Sequence, residues 1–244
     1  MHQHVSSEHG AYAANRVLAL LSILYSKAME FGLWDKMNPT QGIKKFKEYS
    51  RERFLQADEL PRFFQSLAAE SNKDIRDYVL LSLLTGARRN NVLAMRWEQI
   101  NFDRQEWQIP LTKNGTPQLI PLSEESLVIL QNRHKTKQSD FVFPGTGQSG
   151  HLMEPKKGWS RILARANIHD LRIHDLRRTL GSWQAKTGAS AVIIGKSLHH
   201  KSPSATAIYA RLDTDPVRDS VKRATDAMLT VAGLKDTKLS TTLP

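Results

Sequence analysis

Residues 83–97 read LLTGARRNNVLAMRW, an apolar run that breaks at Thr85-Gly86 and delivers two arginines, Arg88 and Arg89, immediately beyond the break. Upstream, Ile75, Val79, Leu80, Leu83 and Leu84 recur at the steps of a helix with a buried face. Glycine after the last apolar position is a helix stop. The pattern predicts a buried helix ending at a corner from which Arg88 emerges from core into a cleft.

Downstream the period changes. From Trp107, the runs WQIPLT and PQLIPL flank Asn114-Gly115, the strongest short-range hairpin signal, which predicts a small antiparallel sheet with Lys113 at its tip. DFVFP is too short to classify. From Lys156 onward helices dominate. IHDLRRT, residues 173–179, sets His174 and Arg177 three apart on one helical face, and Gly188 closes the helix that follows. LHHKSPSATAIYA, residues 198–210, carries His200 and, nine positions later, Tyr209. DPVRDSVKRATDAMLTVAG predicts a terminal helix whose stripe of Val217, Val221, Ala224 and Met228 makes it either a core helix of its own domain or a docking element.

Toward the N-terminus, residues 12–33 repeat apolar positions at helical spacing without a proline, and NPTQGI breaks the helix. KKFKEYSRERF, residues 44–54, is charged and lacks an amphipathic period, so it reads as a basic linker. Asp58 is a candidate cap for the next helix, with Pro61 in its first turn. His2, His4 and His9 fall in a terminal segment expected to be disordered. The expected organisation is a helical piece over residues 1–48 and a main domain over 49–244. Together the elements give an α+β class, mainly helical, with a small antiparallel sheet.

The residues that carry chemistry are Arg88, Lys113, His174, Arg177, His200 and Tyr209. In-line displacement at phosphorus builds negative charge on oxygens, which fixed cationic donors match. Arginine suits the non-bridging oxygens because its planar fork donates two parallel hydrogen bonds and stays charged. Lysine or histidine can deliver a proton once its environment brings its pKa toward neutrality. A tyrosine hydroxyl supplies the nucleophile, and a covalent phosphotyrosine conserves the energy of the broken bond. Cutting a phosphodiester in this way requires no metal and no cofactor.

Composition fits a nucleic-acid substrate. Lys+Arg 35 against Asp+Glu 24 leaves a formal charge of +11, which attracts phosphate backbones. The absence of cysteine excludes disulfides and thiolate metal sites, and no histidine pair has zinc-motif spacing. No apolar run approaches a membrane span and the first residues lack the core of a signal peptide, so the simplest location is the cytoplasm of a cell without a nucleus, for a host or viral protein.

The ordered set of Thr-Gly-Ala-Arg at 85–88, a hairpin lysine at 113, His-Asp-Leu-Arg at 174–177, Leu-His-His at 198–200 and a late tyrosine at 209 closely resembles the tyrosine recombinase family, specifically the phage-type integrases. The resemblance runs from about Ala13 to the early 230s. It implies that Arg88 and Arg177 clamp the scissile phosphate and that Lys113 protonates the departing 5′ oxygen. His174 corresponds to a general-base or phosphate-binding histidine and His200 to a second phosphate contact, while Tyr209 forms a 3′-phosphotyrosyl bond. It further implies duplex DNA with attachment or core sites as partner. Four protomers would act on two duplexes, with the C-terminal segment packing onto a neighbour, and accessory DNA-bending proteins belong to the same picture. Arg89 and Arg178 then read as backbone contacts or surface salt bridges.

Two positions depart from the family pattern. Asn91 replaces an acidic residue, removing a carboxylate that would support Arg88. His199 replaces the glycine of Leu-Gly-His, where it either constrains the backbone or competes with His200 for phosphate. Residues 12–45 resemble only the last helices of a core-binding domain, which makes the chain a portion of a longer protein or the product of a truncated gene, with weak and unselective DNA binding. A type IB topoisomerase-like enzyme and a non-catalytic DNA-binding remnant of an integrase stand as the alternatives.

Overall fold

The computed structural model describes residues 1–49, 51–110 and 117–200, together with 202, 205–206, 221–222, 224–225 and 228. The chain divides into two compact units, Met1–Glu52 and Arg53–Pro244.

The first unit is built on α1, His2–Glu30, whose backbone leaves helical geometry at Gly10 (φ 85, ψ 163). Ala14, Asn15 and Leu18 are its buried residues. Asn15 organises the unit, because its amide donates to the Phe46 carbonyl (2.9 Å) and to Glu48 Oε1 (2.8 Å) while its oxygen accepts from the Phe46 N–H (3.0 Å). The basic stretch around Phe46 has no helix or strand of its own and takes its hydrogen bonds from α1 instead. The expectation of a disordered terminus is corrected here. His2 lies in the helix, stacked on Phe46 with centroids 4.5 Å apart, so an aromatic contact and the Asn15 hub order the terminus.

The second unit opens on Arg53, whose guanidinium grips both oxygens of Glu59 at 2.5 and 2.7 Å and reaches the Phe54 and His169 carbonyls. Glu59, and not Asp58, takes the N-cap position of α2, Leu60–Ala68, without a side-chain capping hydrogen bond, and Pro61 lies in the first turn as expected. Asp58 stays at the surface, where it pairs with Arg62. α3, Lys73–Thr85, is capped by Asn72, which accepts from the Ile75 N–H, and ends at Gly86 in the left-handed region (φ 58). That glycine relieves a conformation that costs an L side chain about 1–2 kcal/mol. α3 packs on α4 (Arg89–Leu93), α5 (Glu124–His134), α6 (Lys156–Ala166) and α7 (Asp175–Lys186). Gly158 lets α6 approach closely, since a Cβ there would meet Ile75 Cγ2 at 2.6 Å.

The sheet is antiparallel in the order β1 (Ile100–Asn101), β2 (Glu106–Ile109), β3 (Gln118–Pro121). Trp107 stands opposite both Ile100 and Ile120, so alternate residues of the hairpin face the core. Trp107, Tyr78, Phe63 and Phe143 are its largest fully buried side chains. α8, Ala191–Ser197, joins through a smaller cluster of Ile194 and Leu198 with Leu180, Ala185 and Ala189. Of the terminal stripe, Val221, Ala224 and Met228 are described and all three are exposed, so they do not line this unit's core. Val217 lies outside the described residues.

Candidate active site

Three segments far apart in sequence converge on one guanidinium. Arg177, in the first turn of α7, is 5% exposed. Its Nη1 donates to the carbonyl of Gly86 at 2.6 Å and its Nη2 to the carbonyl of Leu198. Gly86 ends α3 and Leu198 caps α8, so this side chain ties together the corners that present Arg88 and His200. Arg88 occupies the N-cap of α4 with extended backbone (φ −64, ψ 141) and donates through Nη2 to the carbonyl of His199 at 3.4 Å. Its Nη1 is buried and finds no hydrogen-bond partner among the described residues. A buried guanidinium N–H without a partner is costly unless an anion accepts it.

The backbone at 195–200 explains how His200 is aimed. The His200 N–H bonds the Gly195 carbonyl (2.9 Å) and the His199 N–H bonds the Lys196 carbonyl (3.0 Å). His199 itself sits in the left-handed region at φ 49. That pair of bonds around one left-handed residue is the Schellman ending of a helix, which usually places glycine there. The geometry therefore favours the backbone-constraint reading of His199 over competition for phosphate. It also accounts physically for glycine as the usual residue before the histidine.

His174 caps α7 and is exposed on one side, with the three arginines Arg88, Arg177 and Arg178 around it. Loss of solvent on its inner side, then Arg177, holds its pKa below the ordinary value. His200 is half-buried, and burial followed by Arg177 and Arg88 lowers its pKa to about 4. Near neutrality both imidazoles are uncharged, each able to accept a proton at one nitrogen and donate from the other. Asp175 fixes the α7 start by accepting from the Arg172 N–H at 2.8 Å and from Arg178 at 3.4 Å. Arg178 is thus in an ion pair, with a buried carboxylate and not at the open surface. Arg89 is partly buried and donates to the Met153 carbonyl at 3.1 Å.

Arg88, His174, Arg177 and His200 are thus brought together. Lys113 and Tyr209 lie outside the described residues. Thr206 escaped the sequence reading although it is 4% exposed and its Oγ1 lies 2.9 Å from His200 Nδ1. A threonine three positions before the tyrosine carries no signal of its own. Asn91, in place of a carboxylate, leaves its Nδ2 buried without a partner among the described residues.

Comparison with known proteins bears on this geometry. The sequence pattern of the phage integrase family matches residues 53–215. The chain is 29% identical over 189 residues to prophage integrase IntF of Escherichia coli (strain K12), covering 74% of this chain and 40% of that protein. It is 35% identical over 167 residues to the shufflon-specific DNA recombinase of Escherichia coli, covering 66% and 40%. Against tyrosine recombinase XerA of Pyrococcus furiosus it is 27% identical, covering 62% and 55%. The chain thus spans about two fifths to just over half the length of these curated relatives. In fold it is similar to the Tn1549 transposon integrase solved with a circular intermediate DNA (TM-score 0.70, 15% identity, 91% of this chain and 82% of that one). It is also similar to a lambda integrase dimer bound to a core site (TM-score 0.67, 20% identity, 83% and 77%). These neighbours share the fold of the chain, and the family match across most of the second unit shows that the chain belongs to the phage integrase family.

Proposed function

We propose that the second unit is the catalytic unit of a site-specific DNA recombinase that integrates or excises a phage or mobile element. The observation that carries this reading is the tethering of Arg177 to the Gly86 and Leu198 carbonyls, which draws together the segments bearing Arg88 and His200 beside the start of α7 with its His174. Arg88 and Arg177 hold the non-bridging oxygens of the scissile phosphate, with Arg88 Nη1 available to an anion. The Tyr209 oxygen attacks phosphorus as His174 accepts its proton. The 5′ oxygen leaves with a proton from Lys113, and the 3′-phosphotyrosyl bond keeps the strand joined to protein. A 5′ hydroxyl of the partner strand then attacks that bond, releasing Tyr209 and completing the exchange. Cationic side chains supply the charge that a metal would otherwise provide.

The first unit, with Lys44, Lys45 and Lys47 beside its helix, serves in this reading as part of a core-binding domain. Duplex DNA carrying core sites is the partner, and four protomers assemble on two duplexes, aided by DNA-bending proteins. The site of action is the cytoplasm of the cell that holds the element. No helix among the described residues is long and apolar enough to cross a membrane.

The test is a nicked suicide duplex incubated with the protein in excess EDTA. A denaturant-resistant protein–DNA adduct should form and should disappear in Tyr209→Phe. An adduct that survives this change would remove Tyr209 from its role, and cleavage that requires magnesium would replace the mechanism.

A further inference from the structure

We propose that Thr206 is a positioning residue whose buried hydroxyl donates to Nδ1 of His200 and fixes the tautomer that carries its proton on Nε2. The contact is 2.9 Å, and Thr206 is 4% exposed, so bulk water does not compete for it. The hydroxyl is itself held in place. Gly195 faces it without a side chain, and a Cβ at 195 would approach Oγ1 to 3.1 Å. The same Gly195 accepts the His200 N–H through its carbonyl, so histidine and threonine are both registered against one residue of α8.

Chemistry decides the direction of the bond. With its ring half-buried and Arg177 and Arg88 nearby, the imidazole near neutral pH is uncharged, and only one of its nitrogens bears a proton. Were Nδ1 the protonated atom, Nε2 would present a lone pair to the phosphoryl oxygens, which are lone-pair donors themselves. With the threonine hydroxyl donating to Nδ1, Nε2–H becomes a donor to that oxygen and adds to the arginine hydrogen bonds. The 2.9 Å contact accommodates either direction, so this choice of direction rests on the recombinase reading, while the coupling of the tautomer to the Thr206 hydroxyl rests on the contact itself. Thr206 also lies three positions before Tyr209 in sequence, so the same hydroxyl links the histidine to the segment bearing the nucleophile.

The experiment measures the imidazole tautomer of His200 in the free protein at neutral pH by long-range 15N–1H correlation, in wild type, Thr206→Val, Thr206→Ser and Gly195→Ala. Covalent trapping and DNA affinity are measured beside it. Wild type and T206S should hold the Nε2–H form. T206V should show a tautomer mixture and cleave about 10–100-fold more slowly, the usual loss when a group orienting a functional ligand is removed, with DNA affinity unchanged. G195A keeps every polar group but presses on the hydroxyl, and should move the tautomer in the same direction should T206V fail to fold. A wild-type ring protonated on Nδ1, or a tautomer unmoved in both T206V and G195A, would overturn the proposal. Wild-type protein that holds Nε2–H yet never traps DNA would instead overturn the recombinase reading and leave the role of Thr206 in setting the tautomer standing.

Discussion

Replacing Gly86 by alanine tests whether the corner after α3 is the keystone of the site. Gly86 has φ +58, and an added Cβ would lie 2.8 Å from Leu180 Cδ2 and 2.8 Å from Leu198 Cδ2. The left-handed backbone costs alanine about 1 kcal/mol. Forcing a methyl against two packed leucines adds about 1–3 kcal/mol. The sum, about 2–4 kcal/mol, corresponds to a fall in Tm of roughly 5–15 °C for a domain of this size. Circular dichroism melts of the whole chain would read it. Gly147→Ala, which meets nothing within 4 Å, is the control and should leave the melt unchanged. Because the Gly86 carbonyl accepts from Arg177, cleavage should fall further than stability alone explains. Adding Leu180→Ala removes one of the two clashes, so the double variant should be more stable than the summed single effects by about 1 kcal/mol. A G86A protein that melts within 1 °C of wild type, or a strictly additive pair, would refute the reasoning.

Arg177→Lys keeps the charge but loses the fork that spans two carbonyls, so suicide-substrate cleavage should drop by about 10²-fold or more while folding survives with a loss of about 1–3 kcal/mol; cleavage near the wild-type rate would show that the span is dispensable. His199→Gly relieves a left-handed side chain at φ 49 and should raise stability by about 0.5–1 kcal/mol in denaturant titration, whereas a loss would mean that the His199 ring contributes more than its backbone strain removes. The folded-state pKa of His200, about 4, lies below its ordinary value of 6.5, so the unfolded chain binds more protons between them. Stability should therefore be full above pH 6.5 and decline as pH falls toward 4, by at most about 3 kcal/mol from this residue, and His200→Gln should flatten that slope in urea melts taken across the range.

The parts of the fold written in local chemistry were legible before any coordinates. α3 and its stop at Gly86 follow from apolar spacing and one glycine, and β2 and β3 from alternation around Trp107 and Ile120. β1 is two residues long and exists only because Ile100 pairs with Trp107, so no local signal announces it. α5 carries a local signal of its own, in Ser123 at its N-cap with Glu124 and Glu125 in the first turn. Asp58 is the better cap by residue type, yet Glu59 occupies the N-cap position, with its carboxylate held by Arg53 and not by the helix N–H groups, a long-range choice that local sequence does not announce. At the site, the motif order was enough to group Arg88, His174, Arg177 and His200. The carbonyls of Gly86 and Leu198 and the hydroxyl of Thr206 were invisible, because main-chain acceptors and a lone threonine have no pattern in sequence until the chain is folded.

On the recombinase reading, the anchoring of Arg177 also bears on when the protein becomes dangerous to DNA. Its two carbonyl partners come from the ends of α3 and α8, segments that meet only when the helices between them have packed. A nascent or partly unfolded chain, basic enough to adhere to a chromosome, would hold neither arginine in register with His200. On the recombinase reading, adhesion precedes competence, and the ability to open a strand is withheld until the tertiary structure closes. On that same reading, folding acts as a safety interlock on chemistry that would break the genome carrying the gene.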